Sequence, residues 1–192
     1  VINDTGPIGG AEYVMMRRQA GAIAPDLTAG PNVAGAQRLA SNVGLSFMGV
    51  TLVGDGFRLN DSEKASLLRN SPRESQVVHP YLNGRDIAKS TDRRYVIDLF
   101  GLNEQQVRDH YPNCYQWLLT RVKPERDHNK RTSYREKWWI FGEPRASMRR
   151  AFKGRERYIA TLETSKHRYF VWVSSNVVPD HTLFAIALDD AQ

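Results

Sequence analysis

A chain of 192 residues with 41% apolar and 25% charged side chains can bury a core of its own, and its single cysteine, Cys114, excludes an internal disulfide and a multi-thiolate zinc cluster. No apolar run approaches the ~20 residues that span a bilayer, so no membrane partner is expected. The net charge is +6, and the lone thiol fits a reducing cytoplasm.

The start, VINDTGPIGG, has no initiator Met, no basic-then-apolar signal region and no lipidation motif. Residues 1–40 are rich in Gly, Ala and Pro with weak periodicity, which predicts either a segment wrapped on a neighbour or a loosely structured entry segment. From Ser46 the alternation SFMGVTLVGDGFRL predicts two strands joined by a hairpin turn at Gly54-Asp55-Gly56. Asn60 with Glu63 predicts a capping box and a short helix ending near Asn70, stopped by Pro72. VVHPYLNGRDI reads as strand, Asn83-Gly84 tight turn and strand start, with Pro80 disfavouring a central strand position.

Residues 94–100 (RYVIDLF) predict a further strand, Asn103 caps a helix containing Val107, and Pro112 opens another in which Tyr115, Leu118, Leu119 and Val122 recur at helical spacing. Residues 157–162, 167–173 and 182–188 predict three more strands from their β-branched and aromatic content. The expected fold is α+β, a largely antiparallel sheet with flanking helices. The chain stops directly after the apolar run TLFAIAL and four polar or small residues, so it reads as a piece of a longer polypeptide.

Catalytic motifs are missing from this pattern. A glycine-rich cofactor loop, an Asn-Pro-Pro-aromatic element and a GxxxxGK[ST] run are all lacking. Pro179-Asp180 is not followed by the acid-x-Lys of a metal nuclease, so Asp180 reads as a turn residue, and the five histidines have no paired-ligand spacing. Cys114 reads as core packing.

The charge is concentrated. Residues 121–158 hold thirteen Lys and Arg against five Asp and Glu, interleaved with Tyr134, Trp138, Trp139, Phe141, Phe152 and Tyr158. Their surplus of eight against a total of +6 leaves the other residues at minus two. A solvated face with local Glu–Lys relief is the bland reading; a docking face for a polyanion, nucleic acid first, is the sharper one. Adjacent Trp138 and Trp139 point to different sides, so at least one packs inward, and the other either packs or stacks on a base.

VVHPYLNGRDI, RRYVIDLFGL, YPNCYQWLLTRVKPERDHNKR, SYREKWWIFGEPR, RYIATLETSKHRYFVW and VVPDHTLFAIALDD, in this order, resemble the target-recognition domain of MmeI-like type II restriction-modification DNA adenine methyltransferases. PNVAGAQRLASN and GLSFMGV resemble that family's connector from the methyltransferase core. PYLNGRDI is also similar to a segment in specificity domains of type I restriction systems. The resemblance implies a connector over residues 1–43 and a C-terminally truncated target-recognition domain over residues 44–192. It implies a module of a cytoplasmic bacterial phage-defence enzyme that recognises double-stranded DNA and performs no chemistry itself. Fused methyltransferase and nuclease domains, with S-adenosylmethionine and Mg2+, would modify or cut. No cofactor or metal is expected in this piece.

On that basis Lys123, Arg126, Lys130, Arg131, Arg135, Lys137, Arg149 and Arg150 are expected on phosphates, which fix register without sequence information. Asn83, Arg85, Arg145, Glu163, Lys166 and Arg168, on turns and strand edges, are the candidates for reading bases. Asp86 and Asp98 pair with Arg85 and Arg94 in an alternative, structural reading. A competing reading of the whole chain is a protein-interaction module whose basic face packs on an acidic neighbouring domain.

Overall fold

The computed structural model describes residues 2–8, 11–17, 37, 39–69, 71–88, 93–167 and 169–188. They belong to two compact units, divided between Asn42 and Val43. In the first, β1 (Ile2–Ile8) pairs antiparallel with β2 (Ala11–Arg17), from Ile2 opposite Arg17 to Ile8 opposite Ala11. A hairpin therefore replaces the loose segment expected here. The sequence between its strands, Gly9-Gly10, is a hairpin signal that weak apolar periodicity concealed. Residues 18–36 of the expected connector lie outside the described residues.

The second unit contains two four-stranded sheets with helices between them in sequence. One sheet is wholly antiparallel and has the order β3 (Ser46–Met48), β10 (Leu183–Ile186), β7 (Arg157–Leu162), β8 (Val171–Ser174). The other has the order β4 (Arg58–Leu59), β6 (Arg94–Ile97), β5 (Val78–Leu82), β9 (Val178–Pro179), antiparallel except where β9 joins β5 in parallel. The expected α+β, largely antiparallel class is the one observed. The strand expected over residues 167–173 is shorter and later, and β9 was not foreseen, being two residues long with no alternation to reveal it. At its end the chain leaves the second sheet at Pro179 and enters the first at Leu183, so the turn between them ties the two sheets together.

Two local expectations are corrected. Gly54-Asp55-Gly56 is not a hairpin: Asp55–Phe57 form a 3-10 turn, and the flanking strands β3 and β4 belong to different sheets. Gly56 is required by close approach, since a Cβ there would lie 2.8 Å from the Arg121 carbonyl oxygen. Asn83-Gly84 does not turn into a second strand. Asn83 Oδ1 accepts the Arg85 and Asp86 amides at 2.8 and 3.1 Å, Asp86 accepts the Asn83 amide at 2.9 Å, and this reciprocal cap starts the short helix α2 (Gly84–Ala88).

Pro80 does lie in an internal strand, and the topology removes its penalty. Leu82 faces β9 with its carbonyl, so Pro80, two residues earlier, faces the same side, where the β9 pairing begins only at Tyr81. No ladder bond is lost.

The expected caps are present. Asn60 and Glu63 exchange bonds of 2.8 and 3.0 Å at the start of α1 (Asp61–Leu68), and Asn103 with Gln106 does the same for α3 (Glu104–His110). The end expected near Asn70 falls on a residue outside the described set. Helix α4 (Pro112–Arg121) has no cap of its own. The fully buried Glu74 supplies one from a distant turn, accepting the Asn113 and Cys114 amides at 2.9 and 3.2 Å. Cys114 is buried beside it, and burial together with Glu74 pushes its thiol well above the ordinary range.

Candidate functional site

The cationic run divides between interior and surface. Arg126, in α5 (Lys123–Asp127), is only 1% exposed. Its Nε donates to the Val53 carbonyl at 2.7 Å and its Nη2 to those of Leu52 and Ile140 at 2.8 and 3.0 Å. The rings of Phe57 and Tyr134 lie over the guanidinium with centroids at 5.6 and 5.0 Å. Val53 has φ +53°, a conformation a β-branched residue rarely holds, so Arg126 donates to the carbonyl of a strained residue just past the short Thr51–Glu143 bridge, and shares the Leu52 carbonyl with the Gly142 amide. Expected on a phosphate, Arg126 is instead a strut of the core.

Others are tied at the surface. Lys123 pairs with Asp127 at 2.7 Å, Arg131 donates to the Tyr134 hydroxyl at 2.7 Å, and Arg135, in α6 (Thr132–Glu136), donates to the Asn129 carbonyl at 2.6 Å. Arg149, in α7 (Ala146–Phe152), pairs with Asp98 at 2.7 Å and donates to the Pro144 carbonyl at 2.6 Å. Asp98 therefore pairs with Arg149, not with Arg94. Lys130, Lys137 and Arg150 are exposed, with no carboxylate partner among the described residues.

The aromatic half of the run is interior. Trp138 and Trp139 are 3% and 8% exposed, and Trp139 donates its indole N–H to the Leu102 carbonyl at 3.0 Å, so neither indole presents a stacking face. Among the described residues the exposed Phe and Trp rings are Phe100, Phe170 and Trp172, which the sequence pattern did not single out.

Three of the base-reading candidates converge elsewhere. Asn83, Arg85 and Glu163 line a cleft of about 530 Å3 where the end of β5, the end of β7 and the β9–β10 turn meet. Arg58, Arg94 and His181 join them there. These three carried no local signal: only strand pairing between distant segments, such as Arg94 opposite Tyr81, brings them to this place. Arg85 and Glu163 are exposed, with no side-chain partner among the described residues. Arg145 lies outside this cleft: it pairs with Glu143 at 2.9 Å and donates to the Gly49 carbonyl at 3.0 Å. Lys166 is exposed on the β7–β8 connection, and Arg168 lies outside the described residues.

Asp180 anchors the cleft floor. Buried at 5% exposure, it accepts the Tyr81 hydroxyl, the Thr182 amide at 2.9 Å, the Thr182 hydroxyl at 2.7 Å and His181 Nδ1 at 3.0 Å. Burial alone would raise its pKa, but the bonds from Tyr81 and Thr182 and the neighbouring His181 outweigh it and hold the carboxyl below its ordinary range. Burial and the same carboxylate push the Tyr81 hydroxyl well above the phenol range. Asp180 is thus a turn residue, as expected, and also the bond between the two sheets. Thr182 completes the tie by accepting the Gly84 amide at 2.9 Å, which fixes the start of α2 and with it Arg85.

What this arrangement offers is a hollow with the Arg85 guanidinium and the Glu163 carboxylate exposed along its wall, donor and acceptor groups capable of directional hydrogen bonding. Among the described residues no group of three or more His, Cys, Asp or Glu side chains is placed to hold a metal ion, and no helix is long and apolar enough to cross a membrane.

Two such sheets with intervening helices also occur within a solved restriction-modification enzyme. Among solved structures, the type IIL restriction-modification enzyme MmeI, determined in complex with DNA, matches with a TM-score of 0.61 and 18% identity over 95% of this chain. The chain spans 24% of the length of that enzyme. No family model and no curated protein matches the chain.

Proposed function

We propose that this chain is a sequence-specific double-stranded DNA recognition module, the target-recognition part of a combined restriction-modification adenine-N6 methyltransferase. The observation that carries the reading is the shared fold with MmeI over 95% of the chain, since that enzyme was determined on DNA. The cleft supports it. Arg85, Asn83 and Glu163 are the donor and acceptor types that distinguish base edges in the major groove. The exposed cations Lys130, Lys137 and Arg150 supply sequence-independent grip.

In this reading the module positions the duplex, and fused domains with S-adenosylmethionine and Mg2+ carry out methyl transfer and cleavage. Residues 1–43 connect it to the methyltransferase core. Anisotropy titration of the chain on labelled duplex at several salt concentrations tests the proposal. With about five phosphates neutralised, log K falls against log salt with a slope of about −4.5. Binding that ignores salt, or none at all, overturns it in favour of a protein-interaction role.

A further inference from the structure

We infer that a second hollow, adjoining the cleft across β9, grips the sugar-phosphate backbone of the same duplex; this rests on the DNA reading above. The hollow lies beside α7 and encloses about 540 Å3. Its rim carries Arg149, Arg150, Lys153 and Arg155, and no Asp or Glu lines it. The base-reading cleft, by contrast, mixes its cations with Glu163 and Asp180. Arg149 is already paired with Asp98, so Arg150 and Lys153, exposed and without a carboxylate partner among the described residues, carry the rim's attraction for a polyanion, selective for charge and not for sequence.

The hollow is also built rigidly. Arg149 is fixed by Asp98 at 2.7 Å and by the Pro144 carbonyl at 2.6 Å, and its guanidinium lies 4.7 Å from the exposed Phe100 ring. Phe152 stacks on the buried Tyr158 ring with centroids 4.5 Å apart. Arg150 and Lys153 stand exposed beside them with no partner among the described residues. Met148, Val178 and Pro179 give an apolar floor. Sugar C–H groups fit such a floor while their phosphates meet the rim, a combination that a lone inorganic anion does not use.

Placement connects the two hollows. Pro179 lines this hollow and the next residue, Asp180, lines the cleft, so the two adjoin at the start of the β9–β10 turn. That separation is small beside the ~34 Å of one duplex turn, the span over which a bound double helix offers its backbone.

The test compares the full chain with an Arg150→Glu, Lys153→Glu variant on two labelled duplexes of unrelated sequence and on polyglutamate, across a salt series. Both side chains are exposed, so the melting temperature should not change. The variant should lose at least about tenfold in affinity, equally on both duplexes, with the salt slope shallower by about 1.8. If the unaltered chain binds DNA and the variant matches it in affinity and slope, the hollow is not a backbone site while the DNA reading stands. If the unaltered chain binds neither duplex, both fall. Polyglutamate binding as tight as DNA, and lost in the variant, would assign the hollow to an acidic protein instead.

Discussion

The stretch from Arg121 to Arg145 holds more cations than the cleft at the end of β5, yet the cleft is where directional groups converge. The difference lies in what surrounds each guanidinium. Along the stretch the helices are short and joined by irregular loops outside any strand ladder, and Arg126 and Arg135 donate to the Ile140 and Asn129 carbonyls there. Around the cleft the backbone is already satisfied by strand pairing and by the Asn83–Asp86 cap, so Arg85 is left with its guanidinium outward. A cationic side chain thus answers to two different surroundings: loop carbonyls in one region and solvent in the other.

The sharpest way to break that contrast is Arg126→Ala. It takes the guanidinium away from the Val53 and Ile140 carbonyls, leaves the Leu52 carbonyl with the Gly142 amide as its one donor, and removes the strut holding Val53 at positive φ. A loss on the order of 3–5 kcal/mol in unfolding free energy is expected. Lys130→Ala, from the same run but exposed and unpaired, should stay within about 0.5 kcal/mol. Urea unfolding of both variants decides it, and equal effects would erase the distinction between interior and surface cations.

Much of the fold was legible in the sequence because it is written in short-range chemistry. The capping boxes at Asn60 and Asn103 need only residues three apart, and the spacing of Leu118 and Val122 marks the buried face of α4. What was not legible depends on partners far along the chain. Gly56 looks like half of a turn until the end of α4 is laid against it. β9 has two residues and exists because Tyr81 and Leu82 lie beside it. Of the candidate site, Asn83, Arg85 and Glu163 were visible through turn chemistry, whereas Arg58, Arg94 and His181 required the sheet order. Arg126 was misassigned to the surface because composition cannot distinguish a cation that faces water from one that faces carbonyls.

Asp180→Asn probes the tie between the sheets. An amide leaves at least one of the Tyr81, Thr182 and His181 donors without its carboxylate, and a loss of about 1–3 kcal/mol is expected. The pH dependence has a definite sign. The folded carboxyl is held below its ordinary range, so its contribution is fully present above the unfolded value of about 3.9 and fades as pH falls through the lower folded value. The gap in melting temperature between wild type and variant should therefore hold from neutral pH down to about 4 and close below it. A gap that stays constant through strong acid would mean that the tie is steric and not ionic.

Arg85→Ala has the smallest expected effect and is the most specific. The Asn83 and Asp86 cap that starts α2 uses the Arg85 backbone and not its side chain, and the guanidinium is exposed, so folding stability should move by no more than about 0.5 kcal/mol. If the cleft reads bases, removing one two-pronged donor should cost about 1–3 kcal/mol of discrimination between the preferred duplex and single-base variants of it. Binding to unrelated duplex, and its salt slope, should hardly change, because that part of the affinity comes from phosphates. Competition of a randomised duplex pool against wild type and variant measures this directly. Loss of preference at one base position, with the rest retained, assigns Arg85 to that position; a uniform drop across the pool would move it to the phosphates and leave the cleft without a reader.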